Sequence, residues 1–425
     1  MRLQRKKSGE FVFLNESQVL GTGGEGKVYA IPREESLVAK IYHSAADVPA
    51  SKLLAMLDYS PVDPTREEHH ASIAWPVDLL IDPAHPGTVL GYVMPRVEDM
   101  HPIFAFYNPA SRLTTSPLFT YTYLYRTARN LMAAVTALHE AGCVIGDVNE
   151  SNILVSETAL VTLVDTDSFQ IRNLQSEEIY RCPVGKPQFT SPELQGVRFS
   201  EVDRTTEHDL FGLAVILFQL LMEGTHPFDG VYQGAGDPPL QEERIAAGHF
   251  PYSSELRIPY RPKPIAPPFE ILPPAIQALF RQCFEAGHHN PQKRPSARLW
   301  RDALRDAEKN LVGCTARPLH TYSPHLAACP WCERTEKLGG RDPFPTLEQA
   351  QERTASRKAR ARSTTGQTGA AGPYAYQTGA GAVAPQSAQP QEGIGCNAGC
   401  VVLVFLVIWV AIIITGVGVL LSVSR

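Results

Sequence analysis

Three polar side chains have a spacing that suits phosphoryl transfer from a nucleotide. Asn152 follows Asp147 after a short loop, and Asp165 follows after two apolar runs. The Asp147 carboxylate can accept the proton of an attacking hydroxyl. The amide oxygen of Asn152 and the carboxylate of Asp165 can hold Mg²⁺ against the phosphates of ATP. Taken alone, the stretch is also compatible with a β-hairpin whose turns carry polar residues.

The apolar runs around these residues indicate which elements position them. Residues 153–155 and 160–164 are mostly aliphatic and predict two short buried strands, which would fix the placement of Asn152 relative to Asp165. Residues 119–139 carry apolar side chains at helical spacing and predict a helix beneath the loop that holds Asp147.

A glycine-rich run lies near the start of the chain. Its glycines are Gly21, Gly23, Gly24 and Gly26. Glycine lets the backbone approach phosphates and point its N–H groups at them. Turns and dinucleotide-binding folds share this spacing, but the dinucleotide motif needs a helix where Val28 begins a β-like segment over residues 28–31. The run therefore predicts a phosphate-covering loop between two strands.

Lys40 lies among apolar residues in a further predicted strand, residues 37–42. The simplest alternative is an exposed strand lysine. Its place downstream of the glycine-rich run favours contact with phosphate instead.

These residues and four later segments resemble the bacterial branch of the protein-kinase-like fold. Residues 191–193, Ser-Pro-Glu, are similar to the family's A-P-E motif, and residues 291–297 are similar to the closing motif, whose Arg294 would pair with Glu193. Residues 208–217 and 224–228 are similar to the central buried helix and the turn after it. The wording Val-Asp-Thr-Asp-Ser-Phe and a later Cys-Pro-Trp-Cys further resemble a subfamily of bacterial Ser/Thr kinases.

The resemblance implies an α+β, two-lobed protein-kinase-like fold. A small β-rich N-lobe would span residues 1–97, and a mainly helical C-lobe would span residues 98–311. Asp147 would be the catalytic base, ATP and Mg²⁺ the cofactors, and the backbone near Met94 the adenine contact. Asp209 would hold the backbone of the catalytic loop, although its place before an apolar run also suits an ordinary N-cap.

Two departures concern how the kinase site is supported. The family places a Glu in the helix predicted over residues 51–57 to pair with the strand lysine, but none occurs there, so the partner of Lys40 is open. Ile145 and Gly146 replace the usual His-Arg pair. The activation segment then has no obvious cation to receive a phosphate, and activity is expected not to require phosphorylation there.

Two further departures lie at the chemistry itself. Thr166 and Asp167 replace the Phe and Gly of D-F-G, which removes the Phe switch. Asn149 stands where the family has a lysine that faces the transferring phosphate. Lys186 occupies a position that is usually Thr and lies close to the base, and we hypothesise that it supplies the charge that Asn149 lacks. An exposed loop lysine is the alternative.

A cluster of thiols and imidazoles follows the kinase-like region and predicts a structural Zn²⁺ site over residues 312–338. Its expected ligands are Cys314, His320, Cys329 and Cys332. Two thiolates two residues apart can grip one face of the ion, and a further Cys and His can complete the tetrahedron. His325 is a rival for the fourth position. A redox pair and four unliganded residues are the alternatives.

The C-terminal part of the chain has a different composition. Residues 339–395 are rich in Gly, Ala, Gln, Thr and Pro and predict a flexible linker. Residues 396–425 include an uncharged apolar run, residues 401–421, which is long enough to span a bilayer. A kinase-like region needs ATP, so a single-pass protein with that region in the cytoplasm is expected. The net charge of −5 gives no reason to expect a nucleic-acid partner.

The pattern as a whole favours a membrane-tethered protein kinase that transfers the γ-phosphate of ATP to Ser or Thr of protein substrates. A pseudokinase that acts as a nucleotide-binding scaffold at the membrane is the alternative, because several family residues are replaced. A third interpretation keeps the fold but gives it a small-molecule acceptor. The sequence leaves the substrate, the activating signal and the oligomeric state open.

Overall fold

A seven-stranded antiparallel sheet forms the first part of the chain in the computed structural model, which describes residues 1–255 and 257–352. Its strands are β1 (Arg2–Arg5), β2 (Phe11–Phe13), β3 (Val19–Thr22), β4 (Gly26–Ile31), β5 (Glu34–Tyr42), β6 (Asp78–Asp82) and β7 (His85–Pro95). Their spatial order is β2-β1-β6-β7-β5-β4-β3. One face encloses an apolar cluster that includes Leu3, Val12 and Val93. The sequence did not predict β1, because a four-residue strand with three polar residues carries little signal.

Helix α1 (Ala50–Asp58) connects β5 to β6 and confirms the helix predicted over residues 51–57. Its buried face consists of Lys52, Leu53, Ala55 and Met56. The indole of Trp75 donates to the Met56 carbonyl at 2.8 Å and ties the helix to the chain that leads into β6. A lysine on this buried face is unexpected, since lysine is rarely buried without a partner.

The remaining strands are short. They are β8 (Met100–Pro102), β9 (Ile153–Ser156), β10 (Val161–Leu163), β11 (Ile171–Arg172), β12 (Ile179–Tyr180), β13 (Val231–Tyr232), β14 (Tyr260–Arg261), β15 (Val312–Gly313) and β16 (Thr321–Tyr322). Strands β9 and β10 are the two predicted buried strands, and they form a three-stranded sheet with β8. The others form two-stranded pairs.

Helices dominate the second part of the chain. They are α2 (Pro109–Thr115), α3 (Tyr121–Glu140), α4 (Thr206–Leu221), α5 (Gln241–Ala246), α6 (Pro274–Arg281), α7 (Gly287–His289), α8 (Ala297–Lys309) and α9 (Pro330–Lys337). A π-helical turn over residues 282–286 joins α6 to α7. Every residue of α4 from Asp209 to Phe218 is buried. Helix α3 packs against α8, where Glu308 pairs with Arg126 and Arg129 at 2.8 Å each.

This division into a β-rich part and a helical part agrees with the predicted α+β architecture. In the part of the chain that the structure describes, no helix is both long and apolar enough to cross a membrane. The predicted span over residues 401–421 and most of the predicted linker lie outside the described residues.

Candidate active site

A cleft of about 520 Å³ brings most of the predicted cofactor contacts together. Its lining includes Gly21, Gly23, Gly26, Val28, Lys40, Met94, Asn152 and Asp165. Gly24 is not part of the lining and lies exposed on the turn between β3 and β4. A larger cavity of about 1310 Å³ lies elsewhere, beside α2 and Glu223, and holds none of the predicted catalytic residues.

Gly26 is required by the sheet itself. A Cβ at this position would lie 2.3 Å from the carbonyl oxygen of Ile41 in β5, so a side chain would force the two strands apart. The glycine-rich turn closes with a hydrogen bond from the Gly23 N–H to the Gly26 carbonyl at 2.8 Å. The glycines thus permit a tight loop over the cleft as well as close approach to a ligand.

Lys40 has three carboxylate partners. Its Nζ lies 2.6 Å from Asp167 Oδ2, and 3.3 Å from both Asp165 Oδ1 and Glu25 Oε2. The Asp167 side chain is 2% exposed, against 21% for Asp165 and 57% for Glu25. Burial alone would lower the pKa of Lys40, but these carboxylates hold it above its ordinary value. The partner that the sequence left open is therefore Asp167.

Two tyrosines fix the Asp167 carboxylate. The Tyr42 hydroxyl donates to Oδ2 at 2.5 Å, and the Tyr92 hydroxyl donates to Oδ1 at 2.8 Å. Tyr42 lies two residues after Lys40 on the same face of β5, and Tyr92 is the register partner of Lys40 on β7. Burial alone would raise the pKa of Asp167, but Lys40 and the two hydroxyls lower it.

Lys52 enters the same region from α1 without a partner of its own. It is 6% exposed and makes no hydrogen bond or ion pair with the residues that the structure describes. Burial lowers its pKa, and the charges of Cys182, Asp167, Glu25 and Asp165 offset that effect only in part. The helix in which the family resemblance leads one to expect a Glu thus carries a buried lysine instead.

Asp147 has one free carboxylate oxygen. The Asn149 amide donates to Oδ2 at 2.7 Å, and the Asn152 amide lies 3.4 Å from the same oxygen. The other oxygen, Oδ1, is buried and has no hydrogen-bond partner among the described residues. Burial raises the pKa of Asp147, while Lys186 and Arg204 lower it in part. A buried acceptor without a donor fits a site that receives a hydroxyl from outside.

Asp165 has a strained backbone, with φ at 58°. Burial, together with the charge of Asp167, raises the pKa of Asp165 to about 6, against the lowering effect of Lys40. The Asn152 side-chain oxygen accepts no hydrogen bond from the described residues. One carboxylate and one amide oxygen beside an apolar cleft with a lysine are a donor set that fits Mg²⁺ and nucleotide phosphates.

Asp209 holds the catalytic loop rather than capping a helix. It lies inside α4, whose N-cap is Thr205, so the N-cap interpretation is wrong. Its carboxylate accepts from the backbone N–H groups of Ile145 and Gly146, at 2.7 Å and 2.8 Å. The Nε2 atom of the His139 ring lies 3.0 Å from Asp209 Oδ2.

Arg204 fills the space beside Gly146. A Cβ on Gly146 would lie 2.7 Å from Cys182 Cβ and 3.1 Å from the Arg204 guanidinium, and Gly146 has a φ of +73°. Arg204 donates to the Val184 carbonyl and lies over the Phe199 ring at 3.9 Å. Arg204 therefore brings a buried guanidinium next to the activation segment, and the expectation that activity does not require phosphorylation there stays a prediction. Arg204 comes from a loop distant in sequence, so the missing Arg at position 146 gave no sign of it.

Lys186 lies beside the catalytic loop, as the hypothesis requires. Its Nζ is 3.4 Å from both Glu150 Oε1 and Ser151 Oγ, and its charge lowers the pKa of Asp147. The predicted pair between Glu193 and Arg294 is confirmed, with two hydrogen bonds of 2.7 Å each.

The four predicted zinc ligands lie together, their donor atoms all within 4.8 Å of one another. The distance from Cys314 Sγ to Cys332 Sγ is 3.7 Å, and from Cys329 Sγ to His320 Nδ1 it is 3.4 Å. A tetrahedral Zn²⁺ with Zn–S bonds of about 2.3 Å places its sulfurs about 3.8 Å apart, so the donor set fits this ion.

Asp342 orients the imidazole of that cluster. It accepts from His320 Nε2 at 2.8 Å, which leaves Nδ1 facing the thiols. The rival His325 contacts Ser323 and the Glu270 carbonyl instead, so the geometry favours His320.

Sequence reasoning missed four contributors to the site, namely Tyr42, Tyr92, Lys52 and Arg204. The tyrosines could have been found from strand alternation once β5 and β7 were paired. Lys52 shares a helix face with Met56, so its burial could have been suspected from the helical period.

A family model of the protein kinase domain matches residues 14–303. The match covers β3 to β7 of the sheet and most of the helical part around the cleft.

Named relatives agree with this match. "Protein kinase YegI" of Escherichia coli O157:H7 is 36% identical over 316 residues, which are 74% of this chain and 48% of that protein. The protein of the same name from strain K12 is 35% identical over 328 residues, or 76% of this chain and 49% of that protein. "Serine/threonine-protein kinase PksC" of Streptomyces coelicolor is 30% identical over 178 residues, 41% of this chain and 27% of that protein. The chain spans about half the length of the two Escherichia coli relatives.

Proposed function

This chain belongs to the protein kinase family, and from that premise we propose that it is an ATP-dependent protein kinase that phosphorylates Ser or Thr of proteins. One observation carries the proposal. The buried, unpartnered Oδ1 of Asp147 lies on a loop that also presents Asn152, beside a cleft lined by Lys40 and Asp165. A carboxylate oxygen that is oriented beside the cleft and has no protein donor can accept the proton of an acceptor hydroxyl.

The residues of the cleft divide the work between binding and proton transfer. Lys40 would contact the phosphates, Asn152 and Asp165 would hold Mg²⁺, and the backbone near Met94 would contact adenine. When bound, ATP would supply the phosphoryl group, and Mg²⁺ held by Asn152 and Asp165 would offset negative charge on the phosphates. Asp147 would accept the acceptor hydroxyl's proton on Oδ1, because Asn149 keeps Oδ2 occupied and the carboxylate oriented.

The acceptor class follows from the segment between Asp165 and Glu193. In the family, the A-P-E-like motif anchors a segment that presents protein substrates, and here Glu193 is fixed by Arg294. The Streptomyces relative is also named a serine/threonine-protein kinase. These two features favour a protein hydroxyl over a small-molecule acceptor.

We further propose that the cluster of Cys314, His320, Cys329 and Cys332 binds one structural Zn²⁺. The distances between the donor atoms and the carboxylate that orients His320 support this assignment.

We also propose that residues 401–421 anchor the chain in a membrane, because the run is apolar and uncharged. The kinase region would then face the cytoplasm, because it needs ATP. Sedimentation of the full chain with membranes, and its release when residues 396–425 are removed, would support this anchor. Equal sedimentation of both forms would refute it.

Phosphotransfer tests the main proposal. The full chain receives labelled ATP, Mg²⁺ and a generic protein acceptor, alongside Asp147→Asn, Asp165→Asn and the exposed control Asp237→Asn. Transfer should fall by about 10²- to 10⁴-fold in Asp147→Asn and remain in the control. ATP binding without transfer by the wild type would favour the pseudokinase instead. Phosphate on Tyr rather than on Ser or Thr would refute the acceptor assignment.

A further inference from the structure

The closest carboxylate partner of Lys40 lies in the turn after β10, at Asp167, and not in helix α1. In the family, a helix glutamate positions the strand lysine, but every acidic residue near Lys40 here comes from another element. Asp58, the sole acid of α1, lies exposed at the end of that helix. Of the three carboxylates near Lys40, Asp167 is the closest and the most buried.

The Asp167 carboxylate is held by hydrogen bonds from two strands of the sheet. Tyr42 and Tyr92 donate to its two oxygens from the same strands that carry and flank Lys40. Both tyrosine hydroxyls and the ammonium therefore converge on one carboxylate. The preceding residue, Thr166, donates to the Ala74 carbonyl at 2.8 Å and anchors the turn.

Helix α1 contributes the opposite charge at this point. Lys52 lies on its buried face without a hydrogen bond or ion pair among the described residues, and it interacts electrostatically with Asp167, Asp165 and Glu25. An acid on the turn and a lysine on the helix are the reverse of the arrangement that the family resemblance predicts.

We propose that Asp167 is the positioning residue of Lys40, in place of a helix glutamate. The buried Lys52 on α1 agrees with this, because a helix that carries a lysine there supplies no carboxylate to Lys40. The inference rests on the proposed function for the role of Lys40 toward ATP. Asp167 is two residues from the proposed magnesium ligand Asp165, so one short turn sets both the lysine and the metal ligand. The pair between Lys40 and Asp167 therefore does not depend on the position of α1, as a pair with a helix glutamate would.

Relocating the charge tests the proposal. Asp167→Asn keeps the shape of the side chain but removes the charge opposite Lys40. We expect ATP affinity, measured by displacement of a fluorescent nucleotide, to weaken by about 10- to 100-fold. The double variant Lys52→Glu with Asp167→Asn returns a carboxylate from the helix and should recover about tenfold of this loss. Lys52→Gln with Asp167→Asn is the matched control and should recover none.

Three results would overturn the proposal. Unchanged ATP affinity in folded Asp167→Asn would show that Asp167 has a structural role alone. Equal recovery by Lys52→Gln and Lys52→Glu would show that the loss of ATP affinity came from the positive charge of Lys52 and not from the missing partner of Lys40. An increased Mg²⁺ requirement with unchanged affinity for metal-free ATP would make Asp167 a metal ligand.

A second variant covers the case in which Asp167→Asn does not fold. Replacing Tyr42 and Tyr92 together by Phe leaves every charge in place but frees the carboxylate, and ATP affinity should fall by a smaller factor. Unchanged affinity in this variant would contradict the proposal. These experiments measure nucleotide binding and not phosphotransfer. A wild type that binds ATP without transferring phosphate would therefore refute the proposed function, and the role of Asp167 could still be tested.

Discussion

At the scale of single residues, we propose that Asn149 and Lys186 together replace the lysine that the family places in the catalytic loop. Asn149 bonds Oδ2 of Asp147 and fixes the carboxylate, but it carries no charge. Lys186 lies beside Glu150 and Ser151 of the same loop, and its charge lowers the pKa of Asp147. Orientation and charge therefore come from different positions.

Lys186→Met should lower kcat by about 10- to 100-fold with little change in the KM for ATP, because a positive charge near the transferred group acts mainly in the transition state. Steady-state phosphorylation of a protein acceptor measures both constants. Lys293→Met, at an exposed lysine, serves as the control. A normal kcat in the Lys186 variant would show that this lysine is an ordinary loop residue.

At the scale of elements, α4 joins parts of the chain that lie far apart in sequence. Asp209 within it binds the catalytic-loop backbone. Near its start, the Glu207 carbonyl accepts from Arg294, which also holds Glu193. This largely buried helix therefore connects the loop that carries Asp147 with the end of the activation segment.

The Glu193–Arg294 pair should make stability depend on pH. Burial alone would raise the pKa of Glu193, but Arg294 and His208 lower it below its ordinary value of 4.5. A depressed carboxyl pKa stabilises the fold above the unfolded pKa, and this stability is lost as pH falls through the folded pKa. Glu193→Gln should therefore reduce the free energy of unfolding by about 2 kcal/mol at pH 7. The difference from wild type should shrink below about pH 4.5.

Denaturant unfolding at several pH values measures this difference. Glu201→Gln, which alters an exposed pair with Arg198, should change stability by less than about 0.5 kcal/mol. A gap for Glu193→Gln that stays constant down to pH 3 would contradict the assignment.

At the scale of the whole molecule, the cysteine cluster is tied to the kinase region by packing. Trp331, between two of the thiols, packs on Tyr121 of α3 with ring centroids 4.6 Å apart, and its indole donates to the Thr321 carbonyl. Arg334 of α9 pairs with Glu223, just after α4. The segment is therefore part of the structure that supports the helical region.

Loss of the metal should consequently destabilise the kinase region as a whole. His320→Ala should abolish stoichiometric zinc in the purified protein and lower its melting temperature by several degrees, because metal binding contributes to folding free energy. Elemental analysis and thermal melting measure these effects. His325→Ala should retain zinc. A His320 variant that keeps its zinc would exclude this histidine as a ligand.

The sequence by itself determined the elements with strong local periodicity. Helix α3 and strands β9 and β10 were predicted because consecutive residues show the spacing of apolar side chains that is typical of each element. Motif spacing also predicted that Lys40, Asn152 and Asp165 share one site, and they line one cleft. Each lies within or at the end of a strand or loop of defined length.

The tertiary structure alone decided which groups face one another across long separations. Lys40 and Asp167 are 127 positions apart, and their contact depends on how β5 meets the turn after β10. Arg204 fills the space beside Gly146, and the fold places His320 among the thiols while His325 turns away. Such contacts follow from packing between elements, and a missing side chain in a motif does not reveal which distant residue takes its place.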